Sequence, residues 1–161
     1  PAGGRLPGRY PNATESTVIQ RILIVCVGNI CRSPMAEALL REHLRGRDVT
    51  IESAGLAALV GKPIDDDAGA VLAEHGLAAE AHCARKLTPE LVSKADLVLV
   101  MDQRQLSAVR AIAPQATGKT FLLGRWIDNA DIPDPYGQAR PVFEQTFALI
   151  RRAVDAWVAR I

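Results

Sequence analysis

Arg21-Ile22-Leu23-Ile24-Val25-Cys26-Val27-Gly28-Asn29-Ile30-Cys31-Arg32-Ser33-Pro34 is the stretch from which the rest of the chain can be read. Its first half is a continuous, β-branched apolar run, the pattern of a strand buried on both faces. Gly28-Asn29 stops that run with a turn signal. Ser33-Pro34 then opens a helix, because Ser can cap and Pro is pre-organised at the first helical position. Met35, Ala38 and Leu39 share one face of this helix, Leu40 and Leu44 make a second apolar pair, and Gly46 marks its end. The same alternation continues downstream. Residues 49–53 predict a strand, 65–76 a helix with acidic residues in its first turn, and 81–85 a further short strand. Residues 95–101 give the clearest later strand, 103–113 its following helix, and 119–123 a last strand. A long helix follows over 141–161, with Phe143, Phe147, Ile150, Val154, Trp157 and Ile161 along one face. Strands alternating with helices imply right-handed parallel crossovers. The expected fold is a single α/β domain over residues 21–161. It has an open central parallel sheet of about four strands and helices on both faces, with the loop after the first strand at the carboxyl end where such sheets bind ligands.

Bulk properties exclude several function classes. The chain has 161 residues, 48% hydrophobic and 23% charged, with a formal net charge of +1. A nucleic-acid binder usually carries a basic excess, and none is present. The apolar runs are too short to span a bilayer, so no membrane insertion is expected. Three cysteines cannot all pair within one chain, and neither a C-x-x-C nor a zinc-ligand spacing occurs among them. A reducing cytoplasm is the expected location. Residues 1–20 are rich in Pro and Gly and lack an apolar signal-peptide core, which reads as a flexible extension or an expression remnant. The Asn12-Ala13-Thr14 sequon within them carries little weight. Gly118-Lys119-Thr120 is not the end of a nucleotide-binding loop, because it precedes a strand and Ala113 stands where a glycine is required.

The chemistry lies in the opening stretch. Between a strand and a helix, backbone N–H groups can curl towards one point and form an anion nest. The helix beginning at Ser33-Pro34 adds its positive dipole end. Arg32 can hold two phosphate oxygens in its planar fork. Gly28 and Asn29 tolerate the left-handed backbone that a tight cradle requires. Cys26 then sits at the floor of the cradle, where a helix N-terminus and a cation favour the thiolate. Attack on a bound phosphate ester would give a phosphocysteine, hydrolysed by water in a second step, with no metal or other cofactor. Expelling the alcohol needs a proton donor. Asp134, stiffened between Pro133 and Pro135, is the candidate, and an apolar pocket would favour its protonated form. Taken alone, that segment reads as an Asp-Pro turn.

Val25 to Pro34, with Asp134-Pro135-Tyr136 about a hundred residues later, resembles the low-molecular-weight protein tyrosine phosphatases over nearly everything from residue 20 onward. The stretch from Ile132 to Glu144 is most similar to the bacterial branch that accompanies exopolysaccharide or capsule export. The resemblance implies Cys26 as nucleophile, Arg32 as phosphate clamp and Asp134 as general acid, then general base. It implies a phosphate-binding loop of Val27, Gly28, Asn29, Ile30, Cys31 and Ser33, and pocket walls from Leu59 and Tyr136. Asn29, Ser33, Ser53 and His82 resemble the family's polar network behind the thiolate, and Asp102 resembles a loop-orienting residue. For His82 the plainer reading is a satisfied, half-buried histidine. The implied partner is a phosphotyrosine protein, in the bacterial branch the autophosphorylating tyrosine kinase of polysaccharide export.

Tyr136 is followed by Gly137 where animal members have a second tyrosine, so regulation by phosphorylation there is unsupported. Cys31 matches a loop cysteine that can trap an oxidised nucleophile as a disulfide, although a buried Cys is often only packing. Three rivals share the loop. A thioredoxin-coupled arsenate reductase needs a further cysteine pair, and only Cys83 remains. A protein arginine phosphatase carries Thr where Ile30 stands, and Ile30 suits a phenyl ring better than a guanidinium. A silent phosphotyrosine-binding module would not need Asp134.

Overall fold

The computed structural model describes residues 18–79 and 81–161. The expected N-terminal extension therefore lies, up to residue 17, outside the described residues, as does its sequon. The sheet consists of β1 (Arg21–Cys26), β2 (Thr50–Gly55), β3 (Leu97–Val100) and β4 (Thr120–Leu122). All pairs are parallel and the spatial order is β2-β1-β3-β4. Among the described residues the α-helices are α1 (Arg32–His43), α2 (Asp66–Glu74), α3 (Pro89–Lys94), α4 (Gln103–Ile112) and α5 (Arg140–Val158). A 3₁₀ turn covers Pro114–Lys119.

The period of two along each strand sorts side chains into two cores. Ile22, Ile24 and Cys26 of β1 and Leu97 and Leu99 of β3 join Met35 and Leu39 of α1, Val71 and Leu72 of α2, and Phe143, Phe147 and Trp157 of α5. Leu23, Val25, Val98 and Val100 point the other way, onto Val92 of α3, Val109 of α4 and Ala116 of the 3₁₀ turn. A strand covered on both faces must be apolar at every position, which is why β1 and β3 read as unbroken runs. Leu40 and Leu44 are buried as expected, so α1 is enclosed on more than one side.

Three local expectations need correction. Helix α1 begins at Arg32 with Cys31 at its N-cap and no side-chain cap, because the Ser33 hydroxyl is committed to the loop instead. Residues 81–85 form no strand. Their backbone bonds go to the 55–62 region and to the Asn29 side chain, leaving a single bridge between Gly55 and Lys86. Helix α3 was not anticipated, although Thr88-Pro89-Glu90 has a capping residue followed by Pro. Thr88 Oγ1 accepts the Leu91 N–H at 3.2 Å.

Candidate active site

Beyond β1 the chain turns through Val27 to Cys31 before α1 begins. Every carbonyl from Cys26 to Cys31 accepts a hydrogen bond from outside or behind the turn. Leu56, Ala57 and Leu59 donate to Cys26, Val27 and Gly28 at 2.9, 2.9 and 3.0 Å. A ring nitrogen of His82 lies 2.6 Å from the Asn29 carbonyl, Asp65 donates to Ile30 at 2.8 Å, and Met35 donates to Cys31 at 3.2 Å. With the carbonyls drawn outward, the N–H side of the chain is turned inward, as an anion nest requires. Gly55 makes the close approach of β2 possible: a Cβ there would lie 2.4 Å from the Val27 carbonyl oxygen. Of the two residues expected to adopt left-handed backbone, only Asn29 does so, at φ 59°. Gly28 has negative φ, and a Cβ there would meet only ordinary contacts.

Cys26 Sγ lies on the floor of this turn, 3.2 Å from the donating Asn29 N–H and 2.9 Å from Ser33 Oγ. The protons behind it can be assigned in sequence. Asn29 Oδ1 accepts the Arg85 N–H at 2.9 Å, so Nδ2 must donate, to Ser33 Oγ at 2.8 Å and Ser53 Oγ at 3.0 Å. Ser53 passes its own proton to Glu37 Oε1 at 2.5 Å. Ser33 accepts from Asn29 and has its hydroxyl proton free for Cys26, whose sulfur as a thiolate can only accept. A carbonyl can only accept, so His82 carries its proton on Nε2, with Nδ1 4.0 Å from Glu37. The Asn29 amide and both serine hydroxyls are satisfied as donors and acceptors, which fixes one arrangement of the loop. Negative charge on the sulfur is stabilised by two donors aimed at it.

The second loop cysteine is a different thiol. Burial pushes the pKa of Cys31 up, and the nearby carboxylates of Asp65 and Asp134 push it further. Cys31 is therefore held as the neutral thiol, and of the two only Cys26 has donors directed at its sulfur.

Arg32 is buried, with its two terminal nitrogens in different roles. Nη1 donates to the Ile132 carbonyl at 2.9 Å and lies 3.5 Å from Asp102 Oδ2. Nη2 faces Asp134 Oδ2 at 3.7 Å. The apolar surroundings expected for Asp134 are absent: its side chain is 51% exposed and stands beside a guanidinium. Asp134 Oδ1 accepts the Tyr136 N–H at 3.1 Å, which orients the carboxylate within its proline-flanked segment.

A pocket of ≈ 180 Å³ opens above the sulfur. It is lined by Cys26 to Gly28, Ile30 to Arg32, Ala57, Leu59, Asp134 and Tyr136. Val27, Leu59 and Tyr136 are exposed at its rim. Ser53 and His82 stand behind the loop, and Asp102 beside Arg32, so all the residues singled out from sequence are brought together around one cleft. Sequence reasoning missed Glu37, Arg85, Ala57 and Gln105. Glu37 had a readable signal, lying one helical turn after Ser33 and one turn before Arg41, with which it pairs. Gln105 had one too, standing three residues after Asp102 in capping-box spacing, whereas Arg85 and Ala57 are delivered by tertiary structure alone.

With the geometry established, comparison with known proteins adds the family. A family model for low molecular weight phosphotyrosine protein phosphatases matches residues 21–161. The chain is 49% identical over 144 residues to a probable low molecular weight protein-tyrosine-phosphatase, EpsP, of Ralstonia nicotianae, covering 89% of this chain and 97% of that protein. It is 45% identical over 140 residues to the low molecular weight protein-tyrosine-phosphatase Etp of Escherichia coli, covering 87% and 93%. Among solved structures, Vibrio vulnificus Wzb in complex with benzylphosphonate superposes with a TM-score of 0.86 at 43% identity, covering 89% of this chain and all of that one. A parallel sheet, a cysteine at the end of its first strand and this degree of identity agree: the chain belongs to the low molecular weight phosphotyrosine protein phosphatase family.

Proposed function

We propose that Cys26 is the nucleophile, Arg32 the phosphate clamp and Asp134 the general acid, then general base, of phosphotyrosine hydrolysis through a phosphocysteine intermediate. The observation that carries this reading is the convergence of the Cys26 sulfur, Arg32 Nη2 and the Asp134 carboxylate on one pocket, with the backbone N–H side of the loop turned towards it.

A phosphate ester entering the cradle meets the N–H groups of residues 27–33 and the N-terminus of α1, which draw its non-bridging oxygens inward. Arg32 Nη2 is the guanidinium nitrogen not taken up by Ile132, and it is available to an oxygen of the ester. The phosphorus then lies above Cys26 Sγ, opposite the leaving oxygen at the pocket mouth, where Asp134 and Tyr136 stand. Repulsion between the dianionic ester and the Asp134 carboxylate favours a shared proton between them, and the departing phenoxide takes it. Asp134 next accepts a proton from the water that attacks the phosphocysteine. The same donors that bind the ground state face the charge on the equatorial oxygens of both transition states.

Ile30, Leu59 and Tyr136 give the pocket apolar walls suited to an aryl ester, which favours phosphotyrosine over phosphoserine. The bacterial resemblance extends the reading to a physiological substrate, an autophosphorylating tyrosine kinase of exopolysaccharide or capsule export, met in the cytoplasm. Among the described residues, no helix is long and apolar enough to cross a membrane. The test is turnover on phosphotyrosine, phosphoserine and phosphoarginine peptides side by side, with Cys26→Ser as control. Phosphotyrosine should be hydrolysed fastest, and Cys26→Ser should bind phosphate without turnover. Appreciable hydrolysis by Cys26→Ser would overturn the assignment.

A further inference from the structure

Gln105 is 2% exposed, one turn into α4, and the mechanism above gives it no part. Asp102-Gln103-Arg104-Gln105 resembles a capping box, in which the N-cap takes the N3 backbone N–H and the N3 side chain reaches back to the N-cap N–H. The first half is present, with Asp102 Oδ1 accepting the Gln105 N–H at 3.0 Å. The second half lands one residue earlier than helix capping requires. Gln105 Oε1 accepts the N–H of Met101 at 2.8 Å, just past the end of β3.

That displaced bond connects to Arg32. The Met101 carbonyl accepts the Ile132 N–H at 2.8 Å, and the Ile132 carbonyl accepts from Arg32 Nη1 at 2.9 Å. On a second path, Gln105 Nε2 lies 3.5 Å from Asp102 Oδ2, the same oxygen that faces Arg32 Nη1 at 3.5 Å. Both acceptors around Nη1 are thus placed by one buried amide.

We propose that Gln105 is a positioning residue for Arg32: its side chain fixes the Ile132 carbonyl and the Asp102 carboxylate so that Nη1 is anchored and Nη2 is aimed at substrate phosphate. A guanidinium is a rigid planar fork, so fixing one terminal nitrogen fixes the direction of the other. A misplacement of about 1 Å in such a clamp costs on the order of 10²-fold in rate. The proposal rests on the reading of Arg32 as the phosphate clamp.

Gln105→Met keeps length and volume while removing both polar functions. Gln105→Glu keeps the acceptor for Met101 but sets a second carboxylate beside Asp102. Thr88→Ala is the control, since it removes the N-cap of α3, which has no connection to Arg32. The measurements are kcat and KM on p-nitrophenyl phosphate, the inhibition constant of inorganic phosphate, and the melting temperature. Gln105→Met should weaken phosphate inhibition roughly tenfold, within the cost of a misplaced clamp, and raise KM in step. Gln105→Glu should weaken it at least as much, and it decides the matter where the Met variant does not fold. Thr88→Ala should lower the melting temperature and leave phosphate inhibition unchanged. Wild-type phosphate inhibition in the Gln105 variants, or an equal weakening in Thr88→Ala, would overturn the proposal. Arg32→Lys, run alongside, separates the two readings. If it leaves phosphate inhibition unchanged, the clamp itself fails and this proposal with it. If it weakens inhibition while the Gln105 variants do not, only the role of Gln105 fails.

Discussion

The two halves of the site are built in opposite ways. The half around Cys26, the proposed nucleophile, is a buried, closed system: Asn29 and Ser33 have no exposed surface, and the Asn29 side chain connects Ser33, Ser53 and Arg85. The half around Asp134, the proposed general acid, lies at the surface. The Asp134 side chain is 51% exposed and Tyr136 57%, and the segment is held by the Ile132-to-Met101 backbone bond, two prolines and one turn. A phosphoryl group is the same in every substrate, so its cradle gains from rigidity. The ester's alcohol arrives on a protein surface, and the groups that meet it gain from access.

That contrast can be broken from either side. The largest effect should come from Asp134→Ala. It should lower kcat on aryl phosphates by roughly 10²–10⁴-fold, the usual contribution of a general acid, with more loss for poorer leaving groups and little change in phosphate affinity. A kcat independent of this substitution would place the proton donor elsewhere. Asn29→Ala comes next. It removes the amide donor to Ser33 and Ser53, leaves the Arg85 N–H without its acceptor and puts alanine at φ 59°, a strain of roughly 1–2 kcal/mol. Both phosphate affinity and kcat should fall, on the order of 10²-fold together, and the melting temperature with them. A variant that kept full activity would show that the polar network is not what positions the sulfur. The smallest effect belongs to Ile30→Thr at the pocket wall, which should shift the phosphotyrosine-to-phosphoarginine ratio by roughly tenfold, the scale set by small side-chain changes in a pocket. An unchanged ratio would remove Ile30 as a selector.

What could be read from sequence follows the same division. The Cys26–Ser33 loop was legible because its chemistry is contiguous, and β1 and β3 because strands covered twice are apolar throughout. The face of α5 was legible from its 3.6-residue period. Residues 81–85 looked like a strand because local pattern does not reveal where backbone bonds go; here they serve the phosphate loop. Glu37 and Gln105 stood in readable local patterns, but the distant partners that tie them to the site, Ser53 and Met101 through Ile132 to Arg32, lie in no short window. Arg85 is brought there by the fold alone. Asp134 was singled out, but its exposed surroundings were not foreseen, since burial of a loop carboxylate depends on what packs over it.

The central claim is that Cys26 carries the phosphoryl group. Rapid quenching of Asp134→Ala during turnover of an activated aryl phosphate, followed by mass spectrometry of the digested chain, tests it directly. Since the proposal gives Asp134 the hydrolysis step as well, the intermediate should accumulate, with phosphate on the sulfur of Cys26 and on no other residue. Phosphate on Cys31 or Cys83, or turnover with every cysteine unmodified at all quench times, would contradict the account.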